Sequence, residues 1–213
     1  MKQEINPALT SRSRAFELWM SSPMPMVTIV KTFDISHLIK KSRKKKWKLN
    51  MLLCWSVGCA ASRTKEFYLL PENIEGQFSK NGRLMQYADI AINVIVRNKK
   101  GGISSCDIPY SADIEQFNRD YLRLTQAASL QCESSFTDDA MVIGTSAVTE
   151  TEIDSIVNQY TDKFCNPMLL WGRYKHGFLR TTLPISFQFH HVQMDGGEAA
   201  KFMELLQTTI KMV

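Results

Sequence analysis

Apolar residues recur along this 213-residue chain with two periods, and each period predicts a different kind of element. The helical period is clearest after Ser111. There Ile114, Phe117, Tyr121 and Leu124 share one face, and Asp113 and Glu115 sit in the first turn, where the helix dipole favours them. Phe202, Leu205, Leu206 and Ile210 repeat the pattern between Glu198 and Lys211. Shorter helices are expected from Ser11 to Met20, stopped by Ser21-Ser22-Pro23, and from Asn50 to Ser62. Asp34 or Ser36 can cap another that runs into a cluster of lysines.

The period of two is clearest from Thr181 to His190. Leu183, Ile185, Phe187 and Phe189 alternate there with polar or smaller residues, which predicts a strand with one buried face. Met26–Phe33, Met141–Val148 and Met168–Tyr174 are further strands. Tyr87–Arg97 reads as one strand or a hairpin arm ahead of a turn at Lys99-Lys100-Gly101-Gly102. Strands and helices are interspersed without strict alternation. The expected fold class is therefore α/β, a two-layer sandwich in which a mixed β-sheet is covered by helices. No linker, repeat or composition break divides the chain, so residues 1–213 read as a single domain.

Composition adds little to this picture: 44% hydrophobic and 22% charged residues exclude a disordered chain and a collagen-like repeat. Charge adds more. Lys40, Lys41, Arg43, Lys44, Lys45, Lys46 and Lys48 form a run without an acid, and taking those seven charges from the net +5 leaves the rest of the chain at −2. The basicity is local. A run of this kind is usually a solvated helix face, and no nucleic-acid partner is expected. Five cysteines without a CxxC pair read as reduced thiols. The first residues lack an apolar stretch behind their charge, and Leu49–Ala61 falls short of a membrane span. A cytoplasmic protein with no membrane partner is expected.

Candidate chemistry gathers in Phe189-His190-His191-Val192-Gln193-Met194-Asp195-Gly196-Gly197, at the end of a predicted strand and just before a helix. Neighbouring strand side chains point to opposite faces, so one histidine can face a cleft while the other packs. The same geometry speaks against a shared metal ion, and no HExxH or CxxC pattern supplies further ligands. No metal is expected. Spacing alone also admits a packing role for the histidines, with Asp195 merely opening the last helix.

This HHxxxDG stretch resembles the signature of the chloramphenicol acetyltransferase family and, more distantly, that of the dihydrolipoamide acyltransferases. Pro109-Tyr110-Ser111-Ala112-Asp113-Ile114-Glu115-Gln116-Phe117 is similar to the family's PYSSDIDQF stretch. Tyr160-Thr161-Asp162-Lys163-Phe164 and Leu183-Pro184-Ile185-Ser186 also have counterparts, in the same order.

The resemblance implies transfer of an acetyl group from acetyl-CoA to a hydroxyl, with chloramphenicol as the acceptor and antibiotic resistance as the outcome. It implies a homotrimer with active sites between subunits. His191 would be the general base, because an alcohol is a poor nucleophile until a near-neutral imidazole takes its proton. Ser146 would stabilise the tetrahedral oxyanion. Asp195 would pair with Arg12 to hold the loop in shape, with Arg14 as an alternative partner. Trp19 and Val27 fall where the family has an acceptor-site tyrosine and phenylalanine. Lys48, Arg173 and Tyr174 fall near the CoA site. The family's proline-tryptophan pair after the serine is replaced by Val148-Thr149.

Three other readings are weighed against this one. A family member acylating a different hydroxylated acceptor fits the altered pocket positions. A non-enzymatic module binding anionic ligands through residues 40–48 rests on the basic run alone. A serine hydrolase lacks support, because Gly144-Thr145-Ser146-Ala147-Val148 has no second glycine for a GxSxG elbow.

Overall fold

The alternation from Thr181 to His190 builds the strand around which the molecule is arranged. The computed structural model describes residues 2–74, 82–161 and 163–213. Its strands are β1 (Lys2–Ile5), β2 (Met26–Asp34), β3 (Leu69–Glu72), β4 (Arg83–Tyr87), β5 (Asp89–Arg97), β6 (Ile103–Pro109), β7 (Ala140–Glu152), β8 (Met168–Arg173), β9 (Lys175–His176) and β10 (Thr181–His190). Its helices are α1 (Ser13–Trp19), α2 (Ser36–Lys45), α3 (Leu49–Ala61), α4 (Ile114–Gln131) and α5 (Gly196–Met212).

The large sheet has the order β2-β10-β8-β7-β5-β6, with β9 on the first residues of β10. β10 is antiparallel to both neighbours, β7 runs parallel to β8 and β5, and β6 closes the edge antiparallel. The sheet is thus mixed, and helices cover one face, as the interspersed pattern predicts. Phe33, Ile92, Ile108, Ile143, Leu169, Ile185 and Phe187 share a single core with α2, α3, α4 and α5. Helix α3 has ten of its thirteen residues buried, which is why its sequence shows an apolar run rather than a stripe.

The expectation of one buried face on β10 needs correcting. Ser186, Gln188 and His190 point away from the helices, yet they are as buried as the apolar positions between them. The segment between β7 and β8 covers that second face: Ile156 donates its N–H to Ser186 Oγ (2.8 Å), and Gln188 Nε2 donates to the Asn158 carbonyl (3.1 Å). Tyr87–Arg97 also differs from expectation, because it divides between two sheets. Tyr87 closes β4, in a three-stranded sheet of order β1-β4-β3, and Asp89 opens β5 in the large one.

Helix starts follow local hydrogen bonding. Helix α4 begins at Ile114, three residues after Ser111, because the Asp113 carboxylate accepts from the Glu115 N–H (2.9 Å). Ser111 Oγ supports the preceding turn by accepting from the Asp113 N–H. Asp34 accepts from the Ser36 N–H and hydroxyl at the start of α2. The basic run lies at the other end of α2, with Arg43, Lys44 and Lys45 in the last turn, where cations complement the helix dipole. Residues 43–46 are exposed, as a solvated face requires.

Phe187 is the aromatic hub beneath the site, with ring centroids 4.9 Å from Phe202 and 5.1 Å from Phe189. Phe187→Ala is expected to lower unfolding free energy by about 3–5 kcal/mol, read from chemical denaturation midpoints. A loss below about 1 kcal/mol would mean that Phe187 is not the centre of this aromatic packing.

Candidate active site

Strand β10 ends at His190, and the chain turns through residues 191–193 before α5 begins at Gly196 with Asp195 as its N-cap. A tight turn between two buried elements leaves carbonyls pointing inward, and Arg12 takes them. Its Nε donates to the Val192 carbonyl (2.8 Å) and Nη2 to the His191 carbonyl (2.8 Å). Nη1 and Nη2 also grip the two carboxylate oxygens of Asp195 at 2.8 and 2.9 Å. This fork is the bidentate geometry that makes arginine–carboxylate pairs strong. Arg12 is 5% exposed, and its hydrogen bonds hold the Asp195 carboxyl below the usual carboxylate range. Arg14 instead pairs with Glu17 on its own helix.

The turn sets the two histidines apart. His190 is fully buried, and burial pushes its pKa down to about 3, so it is neutral. Its Nδ1 accepts from the Val192 N–H (3.1 Å), which puts the ring proton on Nε2. His191 keeps 28% of its side chain exposed. Its Nδ1 comes within 3.2 Å of Asp195 Oδ1, an ion-pair distance when the ring is protonated, without meeting hydrogen-bond geometry. The Trp19 indole stacks face to face on the imidazole, with centroids 4.7 Å apart and planes 5° from parallel. The His191 backbone N–H is tied to the Pro25 carbonyl (2.8 Å). An imidazole fixed this way, with one edge open, can accept a proton from a bound molecule.

Ser146 lies on β7, on the sheet face away from the helices, in one row with Leu170, Ser186 and Val30. His191 is two strands across and five residues farther along. At about 4.8 Å between strands and 3.3 Å per residue, Ser146 and His191 of one chain stand roughly 19 Å apart. A single chain does not bring them together.

The remaining sequence candidates are spread out. Val27 pairs with Phe189 and packs against the helix-side core, whereas its neighbour Met26 faces the opposite side. Lys48 is the residue before α3, exposed, with its Nζ 5.9 Å from the Tyr121 ring. Arg173 ends β8, and Tyr174 meets His176 edge-on at 5.0 Å. Among the described residues no hydrogen bond, ion pair or ring contact joins Lys48 to Arg173 or Tyr174. Asp162, part of one resembling stretch, lies outside the described residues. Among the described residues, no group of His, Cys, Asp and Glu could hold a metal ion.

A cavity of about 540 Å³ opens on the same face as Ser146. Asn93, Gly144, Met168 and Gln188 form its floor as one register row across β5, β7, β8 and β10. Met26 and Asp107 border this row. A Cβ on Gly144 would stand 3.1 Å from the Met168 side chain, so the glycine keeps the floor open. Sequence reasoning did not find this cavity. The available signal was a polar residue inside each apolar strand, Asn93 and Gln188 above all, since a polar group survives there only when it is paired or faces a pocket.

The sequence profile of chloramphenicol acetyltransferase matches residues 3–207. The chain belongs to the chloramphenicol acetyltransferase family. Chloramphenicol acetyltransferase 3 from Escherichia coli is 32% identical over 111 residues, a match covering 49% of this chain and 51% of that protein. The chain thus spans about half the length of this relative. A solved chloramphenicol acetyltransferase superposes with a TM-score of 0.77 at 20% identity, covering 99% of this chain and 98% of that one. A probable dihydrolipoamide acetyltransferase from Listeria monocytogenes 4b F2365 gives 0.67 at 11% identity, covering 99% and 94%. These likenesses establish an acyltransferase fold. The region matched by the chloramphenicol acetyltransferase profile contains Arg12, Ser146, His191 and Asp195.

Two outcomes follow from the Arg12 clamp. Arg12→Ala, which strands two buried carbonyls as well as a carboxylate, is expected to cost about 3 kcal/mol in denaturation. Asp195 is half-exposed and its charge partly screened, so Asp195→Asn is expected to cost only about 1 kcal/mol at neutral pH. Because the native carboxyl is depressed, that contribution exists above the ordinary carboxylate range and vanishes as pH falls through the native value. Melting curves of wild type and Asp195→Asn should therefore draw together as pH falls below the ordinary carboxylate range. A gap that widens on acidification would contradict the pairing.

Proposed function

We propose that the chain is an acetyl-CoA-dependent O-acetyltransferase that works as a homotrimer, with His191 of one copy meeting Ser146 of its neighbour. The observation that carries this reading is the Arg12 clamp. It fixes both carbonyls and the carboxylate of the turn and leaves one open imidazole at the surface. The separation of about 19 Å between His191 and Ser146 supports a shared site, since one carbonyl cannot be reached by both groups of a single chain.

In the proposed step, the acceptor O–H gives its proton to the open nitrogen of His191 as the oxygen bonds to the thioester carbon. The carbonyl oxygen becomes an oxyanion that accepts a hydrogen bond from the Ser146 hydroxyl. The intermediate collapses, the C–S bond breaks, and CoA leaves as the thiol with the proton returned from His191. Trp19 holds the imidazole plane through the cycle, and its π face favours the transient imidazolium. Asp195 remains paired with Arg12 and takes no proton. Chloramphenicol is the acceptor to test first, and Lys48, Arg173 and Tyr174 are assigned to the CoA side.

Purified protein with acetyl-CoA and chloramphenicol, or a panel of hydroxylated compounds, is expected to release free thiol. His191→Ala should reduce kcat at least a hundredfold, and Ser146→Ala by about the same factor. Co-refolding the two inactive variants at equal amounts should restore about a quarter of wild-type activity, because some interfaces then pair an intact His191 with an intact Ser146. No recovery would place both groups in one chain and overturn the shared site. Absence of thiol release with every acceptor would overturn acyl transfer. Lys48→Ala should raise the KM for acetyl-CoA severalfold while the acceptor KM stays within twofold; equal effects on both would remove Lys48 from the CoA side.

A further inference from the structure

The cavity beside Ser146 holds a carboxylate that nothing in the described protein neutralises. Asp107 is 8% exposed and lines the cavity from β6, opposite Asn93. Its Oδ1 accepts from Asn93 Nδ2 (2.7 Å) and its Oδ2 from the Thr137 N–H (2.9 Å). Both donors are neutral, and among the described residues no lysine, arginine or histidine forms an ion pair with it. The other charges around the cavity are accounted for. Lys2 pairs with Glu72 at 2.6 Å, and Asp138 and Lys163 are exposed to water. A buried carboxylate without a counter-charge is unfavourable, and it is retained where a ligand supplies the cation.

We propose that Asp107 selects a cationic acceptor: a hydroxylated compound whose ammonium group docks against this carboxylate while its hydroxyl lies toward Ser146. The register sets the span. Asp107 faces Asn93, Asn93 faces Gly144, and Ser146 is two residues along β7, which puts the two backbones about 12 Å apart. The ammonium and the acylated hydroxyl of the acceptor are therefore several ångströms apart rather than on adjacent carbons. Asn93 and Gln188 on the floor add amide groups that suit a polar body between the two ends. An uncharged aromatic acceptor leaves Asp107 as it is and gains nothing from it. The inference rests on the acetyltransferase reading for the fate of the hydroxyl, but the charge preference belongs to the cavity itself.

The test uses ω-hydroxyalkyl trimethylammonium salts of four to eight carbons, each beside its uncharged tert-butyl isostere. The fixed charge has no N–H, so acetyl can go only to oxygen. Thiol release gives KM and kcat for each, and isothermal calorimetry on the same wild-type protein gives affinity without turnover. The cationic member of each pair is expected to bind at least about tenfold better, with the largest gap at intermediate length. Asp107→Asn can keep the Thr137 N–H bonded through its amide oxygen and donate to Asn93 once that amide turns over, and it should bring the two series within about twofold. Asp107→Glu, melting within a few degrees of wild type, should retain a preference with its optimum length shifted. Equal affinity of the two series for the wild type, or a preference that survives in Asp107→Asn, would overturn the proposal. Charge-dependent binding without thiol release would uphold the cationic site and overturn the role of the bound cation as acceptor, so the two failures read differently.

Discussion

The rest of the site depends on one side chain, Arg12, whose guanidinium satisfies two loop carbonyls and both oxygens of Asp195. The turn from β10 into α5 cannot satisfy those groups itself, because its backbone is committed to closing the turn. A lysine would supply one point of charge and lose the fork. The clamp also fixes the Asp195 carboxylate, whose Oδ1 stands 3.2 Å from His191 Nδ1. That ring takes its position from the Trp19 indole stacked on it and from the His191 backbone N–H, which donates to the Pro25 carbonyl.

The sheet gives this turn its fixed place. β10 is buried on both faces, apolar toward the helices and polar toward the segment that precedes β8. The helix side supplies rigidity through the Phe187–Phe202–Phe189 packing. The polar side supplies Gln188 to the cavity and Ser186 to its cover. One strand therefore joins the core, the cavity floor and the histidine turn, which places functional groups on rigid scaffold rather than on a free loop.

The elements with strong periodicity were legible in the sequence: α4, α5, β2 and β10 lie within a few residues of their expected bounds. The small sheet was not. β1 is Lys-Gln-Glu-Ile, with no apolar alternation of its own, and β3 contains Pro71, a residue that argues against a strand. The HHxxxDG turn and the pairing of Arg12 with Asp195 were expected from residue pattern and resemblance. The acceptor side was not, because it is set by register. A shift of one residue along β2 exchanges faces, so Val27 joins the helix-side core and Met26 lines the cavity. Asn93 and Asp107 come from the paired strands β5 and β6 and Gln188 from β10, and only the register of the sheet puts all three on one cavity.

The Arg12 clamp also bears on when activity appears during folding. The two halves of the ion pair are 183 positions apart in sequence. Contacts of such high sequence separation form after local helices and hairpins, because closing so long a loop costs entropy before the contact rewards it. As a ribosome extends the chain, every strand of the large sheet, β10 included, emerges while Arg12 still lacks its partner. A nascent chain is therefore without the clamped histidine turn until Asp195 has emerged.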